Sequence, residues 1–148
     1  MLPRTHILFG AIFTAILWLV APSIPLLYLA LVWFASVFID FDHYAASVIK
    51  AGTWKLKDSF EYHKKLGKLE MIEKERGIKK RGDFHLFHTI EFHLFVGLLG
   101  VLVWEGFYYL FIGMVFHSLL DVYSILKRGV FYRREYFLSA WLVRKAKN

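Results

Sequence analysis

Four apolar segments, roughly residues 6–21, 25–42, 86–104 and 107–126, hold ionisable side chains within them or at one end, and this limits the fold more than any other feature. A helix that crosses a bilayer core needs about 20 residues at a rise of about 1.5 Å each. The first two segments supply "ILFGAIFTAILWLV" and "LLYLALVWFASVFI", 14 uninterrupted residues apiece. The last two reach spanning length only if His88, Glu91, His93, His117 and Asp121 are counted inside them. The ionisable groups therefore belong to the spans or their inner ends, not to the loops. Composition agrees: 57% hydrophobic and 19% aromatic residues, in blocks separated by dense charge, read as an integral membrane protein.

A chain of 148 residues allows one domain, 1–148. The formal charge of +7 raises the question of nucleic acid, and its location answers it. Of 19 Lys and Arg, 18 lie in the loop 44–85 and the tail 127–148, while the short turns "APSIP" and "WEGFYY" hold none. The positive-inside rule then accounts for the charge without nucleic acid and gives four spans in an inner, cytoplasmic membrane with both termini in the cytoplasm. Pro22 and Pro25 break the helix at the first turn. In the loop, Tyr62, Leu66, Leu69 and Ile72 recur at helical spacing amid Lys and Glu, and the tail "VFYRREYFLSAWLVRK" interleaves aromatics with Arg. Both read as amphipathic helices at the inner membrane surface, with a solvated helix as the alternative for the loop. His63, in that loop, reads as solvent-exposed. The expected fold is all-α: a four-helix transmembrane bundle with a cytoplasmic amphipathic loop and a C-terminal interfacial helix. A signal peptide is disfavoured, because "LWLVAPSIP" puts Leu, Val and Pro where a cleavage site wants small residues.

The ionisable residues fall at one depth. His6 opens the first span, "DFDH" at 40–43 closes the second, and "HLFHTIE" at 85–91 opens the third. Asp121 lies about 9 Å and His117 about 15 Å from the inner end of the fourth. Rotation agrees with depth, since residues three or four apart share a helix face. This pairs His117 with Asp121, His88 with Glu91, and Asp40 with His43, the last if that end stays helical. Gly113 lies one turn before His117 on the same face, and Gly10, one turn from His6, leaves room for a close neighbour or an ion. His93 points about 140° from His88, towards a neighbour or lipid headgroups. A charge in a bilayer core costs several kcal/mol, roughly, unless paired, and a divalent cation offsets this for several carboxylates at once. The available ligands are His6, Asp40, Asp42, His43, His88, Glu91, His117 and Asp121. Such a mixed set suits zinc first, with manganese or iron as alternatives, and is large enough for one or two ions. With no cysteine, thiolate sites and Cys nucleophiles are excluded.

The ordered motifs "THILFG" at 5–10, "FIDFDH" at 38–43, "FHTIEF" at 87–92 and "GMVFHSLLD" at 113–121 resemble the YdjM-like inner-membrane metal-dependent hydrolases. The resemblance covers most of the spans and omits the loop and tail. It implies a membrane-embedded hydrolase whose metal ligands are His6, Asp40, Asp42, His43, His88, His117 and Asp121. The family's His and Asp spacing is similar to that of zinc-dependent phospholipases C, which implies a phosphoester of a lipid or lipid-linked substrate. At the third motif many members carry "HRGxTHS", where this chain has "HLFHTIE" and no Arg.

The leading expectation is metal-assisted hydrolysis at the cytoplasmic face, with Asp42 or Glu91 as general base and the basic loop and tail holding an anionic headgroup. The alternatives are an intramembrane metal transporter or scaffold and a haem-binding redox protein. Apolar outer halves oppose the first, and the crowd of carboxylates opposes the second.

Overall fold

The structure is a computed structural model that describes residues 3–147. Among them every regular element is helical. Helix α1 (Pro3–Val20) ends before the Pro22/Pro25 turn, and Pro25 precedes the first turn of α2 (Leu26–Phe38). Here the missing proline N–H is one that the helix start leaves unbonded in any case. The chain then bends through Ile39 and Asp40 and resumes as α3 (Phe41–Ala51), closed by Gly52 at φ +67°. Helix α4 (Leu56–Glu75) fills the middle of the charged loop, as the helical spacing of Tyr62 to Ile72 predicts. A 3-10 turn (Leu86–His88) precedes α5 (Ile90–Leu102), and α6 (Gly106–Arg128) ends at Gly129, φ +68°. After a second 3-10 turn (Phe131–Arg133), the short α7 (Leu138–Ala146) closes the described chain.

Among the described residues two stretches, Leu26–Ala51 and Gly106–Arg128, are long and apolar enough to cross a membrane. The first of them runs through the bend at Ile39–Asp40. The third expected span is shorter than its apolar segment. Helix α5 has 13 residues, about 20 Å of rise, against a hydrocarbon core of about 30 Å. The reason lies in the Thr89 side chain, which accepts a hydrogen bond from the Phe92 N–H and starts the helix there, while Thr89 itself is extended (φ −83°, ψ 148°). The tail differs too: its aromatic and Arg run is not one helix but a 3-10 turn, an extended stretch and then α7.

Helices α2 and α6 form the largest interface, with α1 against α2 and α5 against α6. Two glycines permit this packing. A Cβ on Gly113 would fall 2.2 Å from the Val32 carbonyl oxygen, and one on Gly10 would fall 2.2 Å from Ser36 Oγ. The space expected beside Gly10 is thus taken by Ser36. The apolar core is small: Ala35, Ile39, Val96 and Met114, ringed by phenylalanines. His6, His88, His93, His117 and Asp121 are also buried, whereas Leu19, Val20, Leu26 and Leu102 are mostly exposed. The inside of the bundle is polar at one end, and its outside is apolar. At the opposite end, Tyr28 stacks on Tyr109 at 4.4 Å and hydrogen-bonds Glu105.

The charged elements are tied down at the polar end. Ser47 and Ser59 share a buried hydrogen bond of 2.6 Å between α3 and α4. Arg128 and Arg133 join α4 through Glu70 and Glu73. Trp141 stacks on Phe84 at 4.2 Å, so this tail aromatic is packed against the chain.

Candidate metal centre

His6 comes from the first turn of α1, Asp40 from the bend between α2 and α3, His88 from the last residue of the first 3-10 turn, and His117 with Asp121 from successive turns of α6. Asp40, His88, His117 and Asp121 each offer a ligand atom, and these atoms lie within 4.8 Å of one another. This group, three of whose members are buried, could hold a metal ion. Asp40 Oδ1 is 3.3 Å from His117 Nε2 and 3.4 Å from His88 Nε2, and Asp121 Oδ2 is 3.7 Å from His117 Nε2. His6 stacks on His117 with ring centroids 3.8 Å apart, and its Nε2 is 3.3 Å from Asp121 Oδ1.

The tautomers bear on whether the group could hold a cation. A carbonyl can only accept, so the 2.9 Å contact between His117 Nδ1 and the Ser36 carbonyl puts the ring hydrogen on Nδ1. A carboxylate likewise only accepts, so the 3.2 Å contact between His88 Nδ1 and Asp42 Oδ2 puts the hydrogen of His88 on Nδ1. In the neutral rings both Nε2 atoms are then bare lone pairs, and they face each other at 3.3 Å beside two carboxylates. Such a convergence is repulsive until a proton or a metal ion sits within it. Orientation of each ligating imidazole by an acceptor on its other nitrogen is the usual outer arrangement of metal-binding histidines. His6 adds to this: it is fully buried, and neither ring nitrogen has a hydrogen-bond partner among the described residues.

Asp42, His43 and His88 form a second group. It shares His88 with the first, and a neutral imidazole has one lone pair. With Nε2 ligating in the first group, Nδ1 carries a hydrogen and Asp42 is its acceptor. The two groups therefore cannot both use a neutral His88. Asp42 Oδ2 also accepts from the Phe87 N–H at 3.0 Å, while its Oδ1 is buried with no hydrogen-bond partner among the described residues, 3.7 Å from His85 Nδ1. His43 lies at the edge, with Nε2 3.6 Å from Asp40 Oδ1 and its ring against His85 at 3.6 Å. Burial, opposed by the Asp42 carboxylate, pushes the His85 imidazole down to about 4, so it is neutral at pH 7.

The structure brings His6, Asp40, Asp42, His43, His88, His117 and Asp121 to one end of the bundle, and it leaves Glu91 apart. Glu91 accepts from the Leu138 and Ser139 N–H groups at 2.9 and 3.0 Å and from Ser139 Oγ at 2.8 Å, capping α7. The expected pairing of His88 with Glu91 assumes an unbroken helix, and the extended Thr89 between them rotates the two apart. His93 is buried and satisfied: its Nδ1–H donates to the Thr89 carbonyl at 2.8 Å, and its Nε2 accepts from Ser118 Oγ at 3.0 Å. His63 is half-buried, its Nε2–H donating to the His43 carbonyl at 3.1 Å, and not the solvent-exposed residue expected.

Sequence reasoning missed Arg134. Its Nη2 donates to Asp121 Oδ2 at 2.7 Å, from a segment expected to lie on a membrane surface. Nothing in the local spacing of the tail marks Arg134 over Arg133; the distinction comes from the turn at Gly129.

Comparison with family models, curated proteins and solved structures finds no match to this chain.

Proposed function

We propose that this chain is a membrane-embedded, metal-dependent hydrolase that acts on a phosphoester of a lipid or lipid-linked substrate at the cytoplasmic face. One observation carries the metal assignment: His88 and His117 are each oriented through Nδ1, by Asp42 and by the Ser36 carbonyl, so that their Nε2 atoms converge on Asp40 and Asp121. The hydrolytic chemistry and the lipid phosphoester come from the resemblance of the four motifs to YdjM-like hydrolases. In this reading α1, α2 with the start of α3, α5 and α6 form a four-helix membrane bundle, with both termini and α4 on the cytoplasmic side. The distribution of Lys and Arg supports that orientation, and the apolar exterior around a buried polar end supports a lipid surround.

Asp40, His88, His117 and Asp121 would hold the cation, zinc foremost, with His6 as a further donor. A divalent cation in that place supplies a water acidified towards neutrality and a Lewis acid for a phosphoryl oxygen. Asp42 fixes the ring of His88 through Oδ2 and keeps Oδ1 as a proton acceptor, which makes it the general base of the site. Glu91, engaged at α7, has no part in proton transfer.

The test is hydrolysis by zinc-loaded protein in vesicles containing a panel of phospholipids and lipid phosphates, beside His117→Ala and Asp42→Asn. Release of phosphate or a phosphorylated headgroup by the wild type, lost in both variants, is expected. No turnover by metal-loaded wild type on the whole panel, or undiminished turnover in the variants, would refute the proposal.

A further inference from the structure

We infer that Arg134 is the anion-recognising residue of this site, and that the group it receives is a tetrahedral phosphate oxyanion held next to the metal ligands. The inference rests on the metal-site reading above and adds a named receptor for the substrate.

Four observations converge on Arg134. First, its guanidinium is anchored at one point only: Nη2 donates to Asp121 Oδ2 at 2.7 Å, and among the described residues no other acceptor is bonded by the side chain. A guanidinium has five N–H donors in a planar fork, so this anchor leaves donors over. Second, the side chain is 13% exposed, so it is not sealed from its surroundings. Third, its partner is itself a member of the group that could hold a metal ion, which puts the guanidinium beside that group. Fourth, the backbone around it is pinned. The Gly82 N–H donates to the Arg133 carbonyl at 2.7 Å, Arg81 Nη1 donates to the Arg134 carbonyl at 2.9 Å, and the Ile90 N–H donates to the Tyr136 carbonyl at 2.9 Å.

The neighbouring cations are otherwise engaged. Arg128 pairs with Glu70, Arg133 with Glu73 and Glu70, Arg144 with Glu135, and Lys50 with Asp83. Each of those carboxylates lies outside the metal group, so these pairs leave the site itself untouched. Arg134 alone among them is aimed at Asp121. A planar fork with spare donors next to a cation site matches two oxygens of a phosphate, and it offers nothing comparable to a neutral carboxylic ester.

Binding of inorganic phosphate to zinc-saturated protein in detergent tests this, comparing wild type with Arg134→Ala and Arg134→Lys while zinc content is measured in parallel. Lys keeps a positive charge for Asp121 but has no fork, so Arg134→Lys decides the matter should Arg134→Ala fail to fold. Phosphate affinity weakened by about tenfold or more, with zinc retained, is expected from the loss of charge-assisted hydrogen bonds. Wild-type phosphate affinity in a variant that keeps its zinc would overturn the inference and leave Arg134 as charge compensation for Asp121. Failure of the metal-site reading looks different: wild-type protein without zinc that still binds phosphate through Arg134 would sink that reading and keep this one. Competition of phosphate binding by vesicles of phosphatidic acid, but not by phosphatidylcholine alone, would identify a lipid headgroup as the source. Arg134-dependent phosphate binding without such competition would assign the receptor to a soluble phosphoester.

Discussion

Gly113→Ala tests how closely the metal group depends on the contact between α2 and α6. The added Cβ would lie 2.2 Å from the Val32 carbonyl oxygen and 2.9 Å from Ala35 Cβ, and the first of these is backbone that cannot rotate away. Restoring an ordinary C···O contact of about 3.3 Å requires the helices to separate by roughly 1 Å. His117 lies one turn further along α6, and its bond to the Ser36 carbonyl is 2.9 Å. The same displacement takes that bond to about 4 Å, beyond hydrogen-bonding range. Overpacking of about 1–3 kcal/mol and a lost hydrogen bond of about 1 kcal/mol add to a destabilisation of about 2–4 kcal/mol. Loss of the partner that orients His117 should weaken zinc binding by about 10- to 100-fold. The control is Gly97→Ala, whose Cβ would meet the Phe111 ring at 3.4 Å, an ordinary contact. It should be neutral, or more stable by up to about 1 kcal/mol through helix propensity. The assay is thermal unfolding in one detergent, with zinc titrated against a chromophoric chelator. A Gly113→Ala protein as stable and as tight for zinc as the wild type would refute the reasoning.

Three further outcomes are expected. Glu91→Ala should speed amide exchange in α7 with zinc content unchanged, and loss of zinc would return Glu91 to the metal group. Burial pushes the Asp83 carboxyl up, but the hydrogen bond and charge of Lys50, with help from Tyr62, more than reverse this and leave it below the ordinary value of 3.8. A lowered folded-state pKa contributes stability that is full above the unfolded value and lost as pH falls through the folded one. Wild type should therefore lose stability relative to Asp83→Asn below about pH 4, and parallel acid limbs for the two proteins would contradict this. Finally, the chain has no cysteine, so single Ser23→Cys and Lys68→Cys variants can be labelled with a membrane-impermeant maleimide from opposite sides of oriented vesicles. Labelling of both from the same side would refute the proposed topology.

The sequence carried the helices whose signal is local. Helix α1 follows from an unbroken apolar run, α6 from an apolar run that holds His117 and Asp121, and α4 from helical spacing of its apolar residues. The pairing of His117 with Asp121 follows from a four-residue interval inside a helix that stays regular. The His88–Glu91 pairing failed because it assumed the same regularity across Thr89. A threonine at the head of "TIEFHLF" is a helix-start signal, and reading it as one separates His88 from α5. The placing of Arg134, and of His63 beneath α3, depends on long-range bonds between the loop, the tail and the helix ends. No periodicity in either segment encodes those partners.

The central claim is that the converging His and Asp residues hold a metal ion. Metal content of detergent-purified protein, measured by plasma mass spectrometry for wild type and for His117→Ala/Asp121→Ala, tests it most directly. A stoichiometric zinc, manganese or iron ion is expected in the wild type and is expected to be lost in the variant. No stoichiometric metal in the wild type, even after reconstitution, would contradict it and make the group a protonated polar core.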